Sequence, residues 1–537
     1  MTTTTMPARP TRAADLPAPA GADQRRAMVA LARTEATRAL RHPVTIAAVL
    51  LFLGPWLYGW LAGSANRYPA LQDEDRGLQF LAVLLLGGAA LVVGNLAVLR
   101  PRRHGTAALY DVLVLPAAWR TAAHLLATGA FGLLAAVLVA VRVTVLATAA
   151  GAAGRLNPYE LVATPLAVML LGAVGVLLAR LVNSMIVALL AVLGFGVLTY
   201  AFALPSTAGG SVLRWLLPIA VQSDPMPLPV DLLARPAAMH VIYLIGLLSL
   251  VVVAVLARTG ARGRRLVAAG AVGLALTLAA AVVQARPVAD DVVAARIAAT
   301  EHPAVQQTCR RINQVDYCAF PDFAPWVDEW DAVLRGVLRR VPAEVAQQPM
   351  AVRQRVWAHD YPVGSWSSSA EERAAQADAW RRDDVAAGTP TTVTVGTQWG
   401  DGRSEVGFAG LVAYEVITRK GAGVDDQVCG ARGVLVAWLA AQATPETRAG
   451  LRTEDENSWG SVSFVEPSFH TGVSVSDREM TVVLELLRRP ADAVAAVVLR
   501  SWAELSAADT TTERAGEIFG VRVPPDVPEN ERSTCSA

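Results

Sequence analysis

The sequence predicts an α-helical polytopic membrane domain of about seven transmembrane helices, followed by a mainly helical α+β extracellular domain. Three observations predict it. Hydrophobic residues make up 53% of the 537 residues and charged residues 17%, with a mean hydropathy of +0.39, too apolar for a soluble chain of this length. Long apolar runs follow one another up to about residue 286, and beyond it charges, tryptophans and turn residues return at ordinary globular density. The arginines, finally, are divided unevenly between alternate loops. The net charge of +1 gives no sign of a polyanionic partner, so nucleic acid is not expected, and Lys420 is the only lysine.

Residues 1–23 are Thr, Pro and Ala with almost no large apolar side chain, which predicts a disordered cytoplasmic tail. Residues 24–43 predict an interfacial amphipathic helix. At about 100° per residue, Met28, Leu31, Ala32, Ala36 and Ala39 share one face, and Arg26, Arg33, Thr37 and Arg41 the other. Glu35 falls within the apolar face, where a lone carboxylate is costly unless paired. Residues 44–286 form the transmembrane domain. Because about 20 apolar residues cross the hydrocarbon core, seven candidate spans read 44–63, 78–99, 121–141, 161–179, 182–204, 239–257 and 266–285. After the third, Arg142 interrupts an apolar run that continues to Gly154, so either the arginine snorkels outward or a short second segment begins.

Positive loops stay on the cytoplasmic side. From an inside start, that side holds Arg25, Arg26, Arg33, Arg38 and Arg41, then Arg100, Arg102, Arg103 and Arg120, then Arg180, then Arg258, Arg262, Arg264 and Arg265. The opposite loops hold Arg67, Arg76, Arg155, Arg214 and Arg235, beside Asp73, Glu74 and Asp75. Seven spans then place the chain in the plasma membrane with a cytoplasmic N-terminus and residues 287–537 outside, where disulfides persist. All four cysteines, Cys309, Cys318, Cys429 and Cys535, fall there, and three pairings are possible. Cys309 with Cys318 is the local choice, closing a short loop worth roughly 2 to 3 kcal/mol, and Cys429 with Cys535 would then tie down the tail. A zinc site is the alternative, although the spacing matches no C-x-x-C ligand pair.

Two further stretches mark the membrane part. "RPRRHGTAALYDVLVLPAAWR" between the second and third spans is a basic loop long enough to fold as a small cytoplasmic helix. "VLRWLLPIAV" before the sixth span is apolar yet too short to cross, and reads as a re-entrant or interfacial segment or as a simple Trp anchor. With the "ARTEATRALRHP" helix and the tight hairpin at "ARLVNS", these stretches resemble the ABC-2 type permease subunits of ABC transporters, over roughly residues 24–257. The resemblance implies a separate ATP-binding cassette ATPase subunit as partner and a second permease copy or homologous chain. It also implies that Glu35, Arg38, Arg103, Tyr110, Asp111 and Arg120 couple the two, and that an apolar or amphiphilic substrate is moved. The seventh helix and the large outer domain depart from a minimal six-span permease.

In the outer domain, "APWVDEWDAVLRGVLRRVP" and "CGARGVLVAWLAAQ" have helical spacing, and "SDREMTVVLELLRR" opens with a capping-box pattern at Ser476 and Glu479. Short strands are predicted at "TTVTVG" and "GSVSFVE". The P-loop, H-E-x-x-H and G-x-S-x-G motifs are all missing, so no catalytic, cofactor or metal residue is assigned and the chain is not expected to be an enzyme. "GLVAYEVITRKGAG" is similar to the zinc helix of zinc aminopeptidases, with Tyr414 and Glu415 but no histidines, which implies a metal-free, inactive relative. A membrane-anchored extracellular binding or scaffold protein without transport activity is the alternative function.

Overall fold

The computed structural model describes residues 21–62, 67–106, 108, 115–203, 212–219, 226–358, 369–423, 426–458, 460–465 and 471–525. Tyr110, Asp111, Cys535 and most of the expected tail lie outside these residues.

The amphipathic helix α1 (Gly21–Leu40) begins three residues before the predicted 24 and gives way to α2 (Pro43–Leu61) at "RHP". Proline is favoured at the first helical position, where its missing N–H is not needed, and His42 caps the new helix by accepting from Val44 N at 3.2 Å. The second predicted span is α3 (Leu71–Leu81), a π-helical turn (Ala82–Gly87) and α4 (Gly88–Arg103) in succession. Then follow α5 (Ala117–Ala147), α6 (Pro158–Leu181), α7 (Ile186–Ala203), α8 (Ala237–Arg258) and α9 (Arg264–Gln284).

Six helical segments among the described residues are long and apolar enough to cross a membrane: α2, the run Leu71–Arg103, α5, α6, α8 and α9. Each coincides with a predicted span; the remaining one, 182–204, coincides with α7, a shorter apolar helix. Large side chains such as Leu50 and Leu57 on α2, Leu193 on α7 and Leu278 on α9 are exposed, as a lipid-facing surface requires. Arg142 interrupts nothing. It lies inside α5, 3.7 Å from Glu74 and 4.9 Å from the ring centre of Trp56.

Small residues set the packing. A Cβ on Gly175 of α6 would stand 2.1 Å from the Leu91 carbonyl oxygen on α4, so these two backbones are in contact. The stretch Val212–Leu216 is a 3-10 turn whose Trp215 is buried, with Tyr243 on α8 donating to Leu216 O at 2.9 Å. It is a packed segment, not a surface tryptophan anchor.

Among the described residues, the polar half holds two sheets separated by helices. In the first the strands run β1 (Thr308–Ile312), β2 (Val315–Ala319), β3 (Met350–Gln354) and β4 (Thr392–Val395), antiparallel for the first pair and parallel for the other two. The second has order β5-β7-β6, from β5 (Asp426–Gln427), β6 (Ser461–Val465) and β7 (Gly472–Ser476). Cys309 and Cys318 face each other across the β1–β2 hairpin and are disulfide-bonded, so the expected local pair forms and closes its short loop between two strands. Cys429 is disulfide-bonded as well.

Helix α10 (Asp290–Glu301) leads into this half. Helix α11 (Val327–Leu338) buries Trp330, Leu334 and Val337 on one side, as its spacing predicts, against α13 (Arg403–Thr418). Between them in sequence, α12 (Ala370–Ala386) is fixed to the end of β3 by the fully buried Arg355, the residue after the strand, which reaches Asp384 at 2.6 Å. Helices α14 (Gly430–Ala441) and α15 (Pro445–Glu456) complete the layer over α13, and α16 (Asp477–Leu486) packs on α14. The capping box expected at Ser476 is replaced. Ser476 accepts from Arg478 N, while Glu479 accepts from Gly430 N at 3.2 Å and from the Thr512 hydroxyl at 2.6 Å.

The polar half is seated on the bundle. Trp326 Nε1 donates to Gly151 O at 2.6 Å, and Gly154 N to Asp322 O at 2.8 Å. The Asp322 carboxylate accepts from Arg155 Nε at 3.1 Å and from Val230 N at 2.7 Å. Ala153, Leu228 and Leu232, from two bundle loops, belong to the polar half's apolar core.

Candidate functional site

Helix α1 supplies the first half of the candidate coupling site. Its buried face is Ala32, Glu35 and Ala39 with Met28, Leu31 and Ala36 beside them, the stripe predicted from the sequence, and this face lies mainly along α5. Glu35 is buried and doubly paired. Arg100 Nη1 donates to both of its oxygens at 2.8 Å, and Arg38, one turn along α1, reaches it at 3.3 Å. The carboxylate that looked costly is thereby a clamp between α1 and the end of α4.

Arg103 follows one turn after Arg100, and with Arg38, His42, Leu96 and His104 it lines a cleft of about 120 Å3. Arg120 stands apart at the start of α5, donating to Leu115 O at 3.2 Å. One buried turn further, His124 leaves Nδ1 without a partner among the described residues. Of the predicted coupling residues, then, Glu35, Arg38 and Arg103 come together and Arg120 lies nearby on another helix, whereas Tyr110 and Asp111 fall outside the described residues. Arg100 was missed as a partner. The signal was present, since a buried glutamate demands a cation and Arg100 opens the basic cluster, but the pair is 65 residues apart.

A second concavity lies between the loop 67–70 and the polar half, a cleft of about 510 Å3 lined in part by Arg67, Tyr68, Trp399, Asp401, Glu405 and Glu446. Burial and the neighbouring Glu329 push the Tyr68 phenol up to about 12. Burial also raises the Glu405 carboxyl, which caps α13 by accepting from Gly402 N at 2.8 Å.

On α13, the two residues singled out beside the zinc-helix likeness diverge. The Tyr414 hydroxyl donates to Asp426 at 3.4 Å. Glu415 is buried with Oε2 unpartnered among the described residues, and burial drives its carboxyl up to about 7 against the pull of Arg419. Among the described residues no three His, Cys, Asp or Glu side chains are grouped to hold a metal ion. No family model, curated protein or solved structure matches this chain.

Proposed function

We propose that this chain is the permease subunit of an ABC-2-like transporter, moving an apolar or amphiphilic substrate with energy from a separate ATP-binding cassette subunit and working beside a second permease copy. In this reading α1 and the basic loop face the cytoplasm and the polar half lies outside the cell. The observation that supports it most is the Glu35 clamp. It fixes an amphipathic helix rigidly against the bundle while Arg33, Arg41, Arg102 and Arg103 stay exposed around it, the kind of charged, immobile platform a soluble partner can push on. The test is affinity capture of the full chain in mild detergent. An ATP-binding cassette subunit should co-purify, and joint reversal of Arg103→Glu and Arg120→Glu should lower its recovery severalfold. If no ATPase is captured and the reversals leave the phenotype intact, the reading fails.

The cleft at Trp399 favours a second reading, a membrane-anchored extracellular binding module. Because Arg67 and Tyr68 of the bundle line that cleft, a polar half held by one foreign anchor helix would lack part of it. Full function in such a chimera would favour the module over the transporter.

A further inference from the structure

Among the described residues, the ion pairs at the end of the bundle beneath the polar half join four carboxylates and three guanidinium groups, contributed by α3, α5, α6 and the residue before Pro236. Three of the carboxylates have an arginine each. Asp73 holds Arg76 at 2.8 Å, Glu74 faces Arg142 at 3.7 Å, and Asp75 takes Arg235 at 2.7 Å. The next arginine outward, Arg155, is committed to Asp322 and Asp231. Glu160 is left with a share of Arg235, whose Nε lies 3.8 Å away, and with one hydrogen bond from Gln79 Nε2 at 3.1 Å.

Glu160 and Gln79 are both buried, at 4% and 1% exposure, so the surplus negative charge has no water to spread into. The same amide presents an unmet acceptor: Gln79 Oε1 is buried without a partner among the described residues, as is Gln72 Oε1. A surplus carboxylate and an idle carbonyl on adjacent side chains ask for one positive charge that can also donate a hydrogen bond.

We propose that Glu160 is a proton-binding site. The proton comes from water and adds to a Glu160 oxygen, and the Gln79 amide turns over so that its Oε1 accepts the new O–H. Neutralisation takes the second carboxylate charge off Arg235, whose shorter contact is to Asp75 at 2.7 Å, and leaves these three arginines facing three carboxylates. A cavity of about 10 Å3, room for one water, lies against Gln72, the partly exposed Asp73 and Arg76, and Arg235, and so reaches from the surface pair to the arginine that Glu160 faces. The site is independent of the ATPase partner.

The test is infrared difference spectroscopy of the full chain in phosphatidylcholine–phosphatidylglycerol nanodiscs as pH is lowered from about 8 to about 5, with Glu415→Gln in every protein compared, the one wild-type at Glu160 included, so that this other buried carboxyl is silent. The wild type should gain a high-frequency carboxyl band characteristic of a group shielded from water. Glu160→Gln, which keeps the shape and the contact to Gln79, should lose that band. Asp75→Asn should also lose it, because Asp75 no longer competes with Glu160 for Arg235; thermal unfolding of both variants establishes that they are folded. No band in the wild type, or the same band surviving in folded Glu160→Gln, overturns the proposal. So does a glutamate-dependent stabilisation by sodium with no band, which would assign the missing charge to a metal cation.

Discussion

At one end of the bundle a single buried carboxylate, Glu35, meets Arg100 and Arg38; at the other, beneath the polar half, Asp75 and Glu160 share Arg235. The charge balance is reversed, and so is the ease of carrying the excess. Surplus at the first end rests on Arg38, whose side chain is 59% exposed and can stretch to water. At the second it rests on Glu160, a short side chain that cannot leave its helix. Excess charge is therefore harmless on long cationic side chains and demanding on short anionic ones. The first end is a finished clamp with a cation to spare, the second an unfinished one.

Breaking that contrast is largest at the second end. Arg235→Ala strips two buried carboxylates of their cation and should cost about 3 to 5 kcal/mol in thermal unfolding of the nanodisc-held chain, with partial recovery when Asp75→Asn is added. At the first end Glu35→Ala should cost about 3 kcal/mol, since Arg100 can partly rehydrate. Hydrogen exchange in Gly21–Leu40 should rise as α1 lifts, while the polar half stays protected. A matching loss across both regions would erase the distinction between the ends.

Glu415 in the polar half extends the comparison to a carboxylate with no bonded cation. Its folded-state pKa of about 7 lies above the ordinary 4.5, so folding favours the protonated form. The stabilisation is fully present below about pH 4.5 and fades as pH rises through 7, a loss of roughly 2 to 3 kcal/mol between pH 5 and pH 8. Protection of Arg403–Thr418 against hydrogen exchange should fall accordingly, and Glu415→Gln should abolish the slope. The smallest effect sharpens the rest. Arg33→Ala, on the exposed face of α1, should change stability by less than about 0.5 kcal/mol, because burial and not charge alone sets the scale.

Much of this architecture is legible in the sequence wherever one period or one composition dominates. Apolar runs locate the long helices, the stripe from Met28 to Ala39 marks the buried face of α1, and alternation finds Thr392–Val395 and Ser461–Val465. Strands β1 and β3 have no such signal. Thr308–Ile312 is exposed on an edge, and Met350–Gln354 is buried on both faces, Arg353 and Gln354 included, so neither alternates. The site was half visible. Glu35 stood out as a charge in an apolar stripe, but its partner Arg100 and the Asp75–Arg235–Glu160 cluster depend on helices meeting across 65 to 160 residues, which no local pattern encodes. The π-helical turn at Ala82–Gly87 has no sequence mark that we recognise.

One residue at the junction has a mechanical consequence. Asp322 grips Arg155 after α5 and Val230 before α8 with its carboxylate, and holds Gly154 with its backbone. Two loops that come from different helix pairs thus meet on one residue, beside the contacts of Trp326 and Arg296 to the same loops. A change in the angle between those pairs would load Asp322, and through it the polar half that carries the cleft at Trp399.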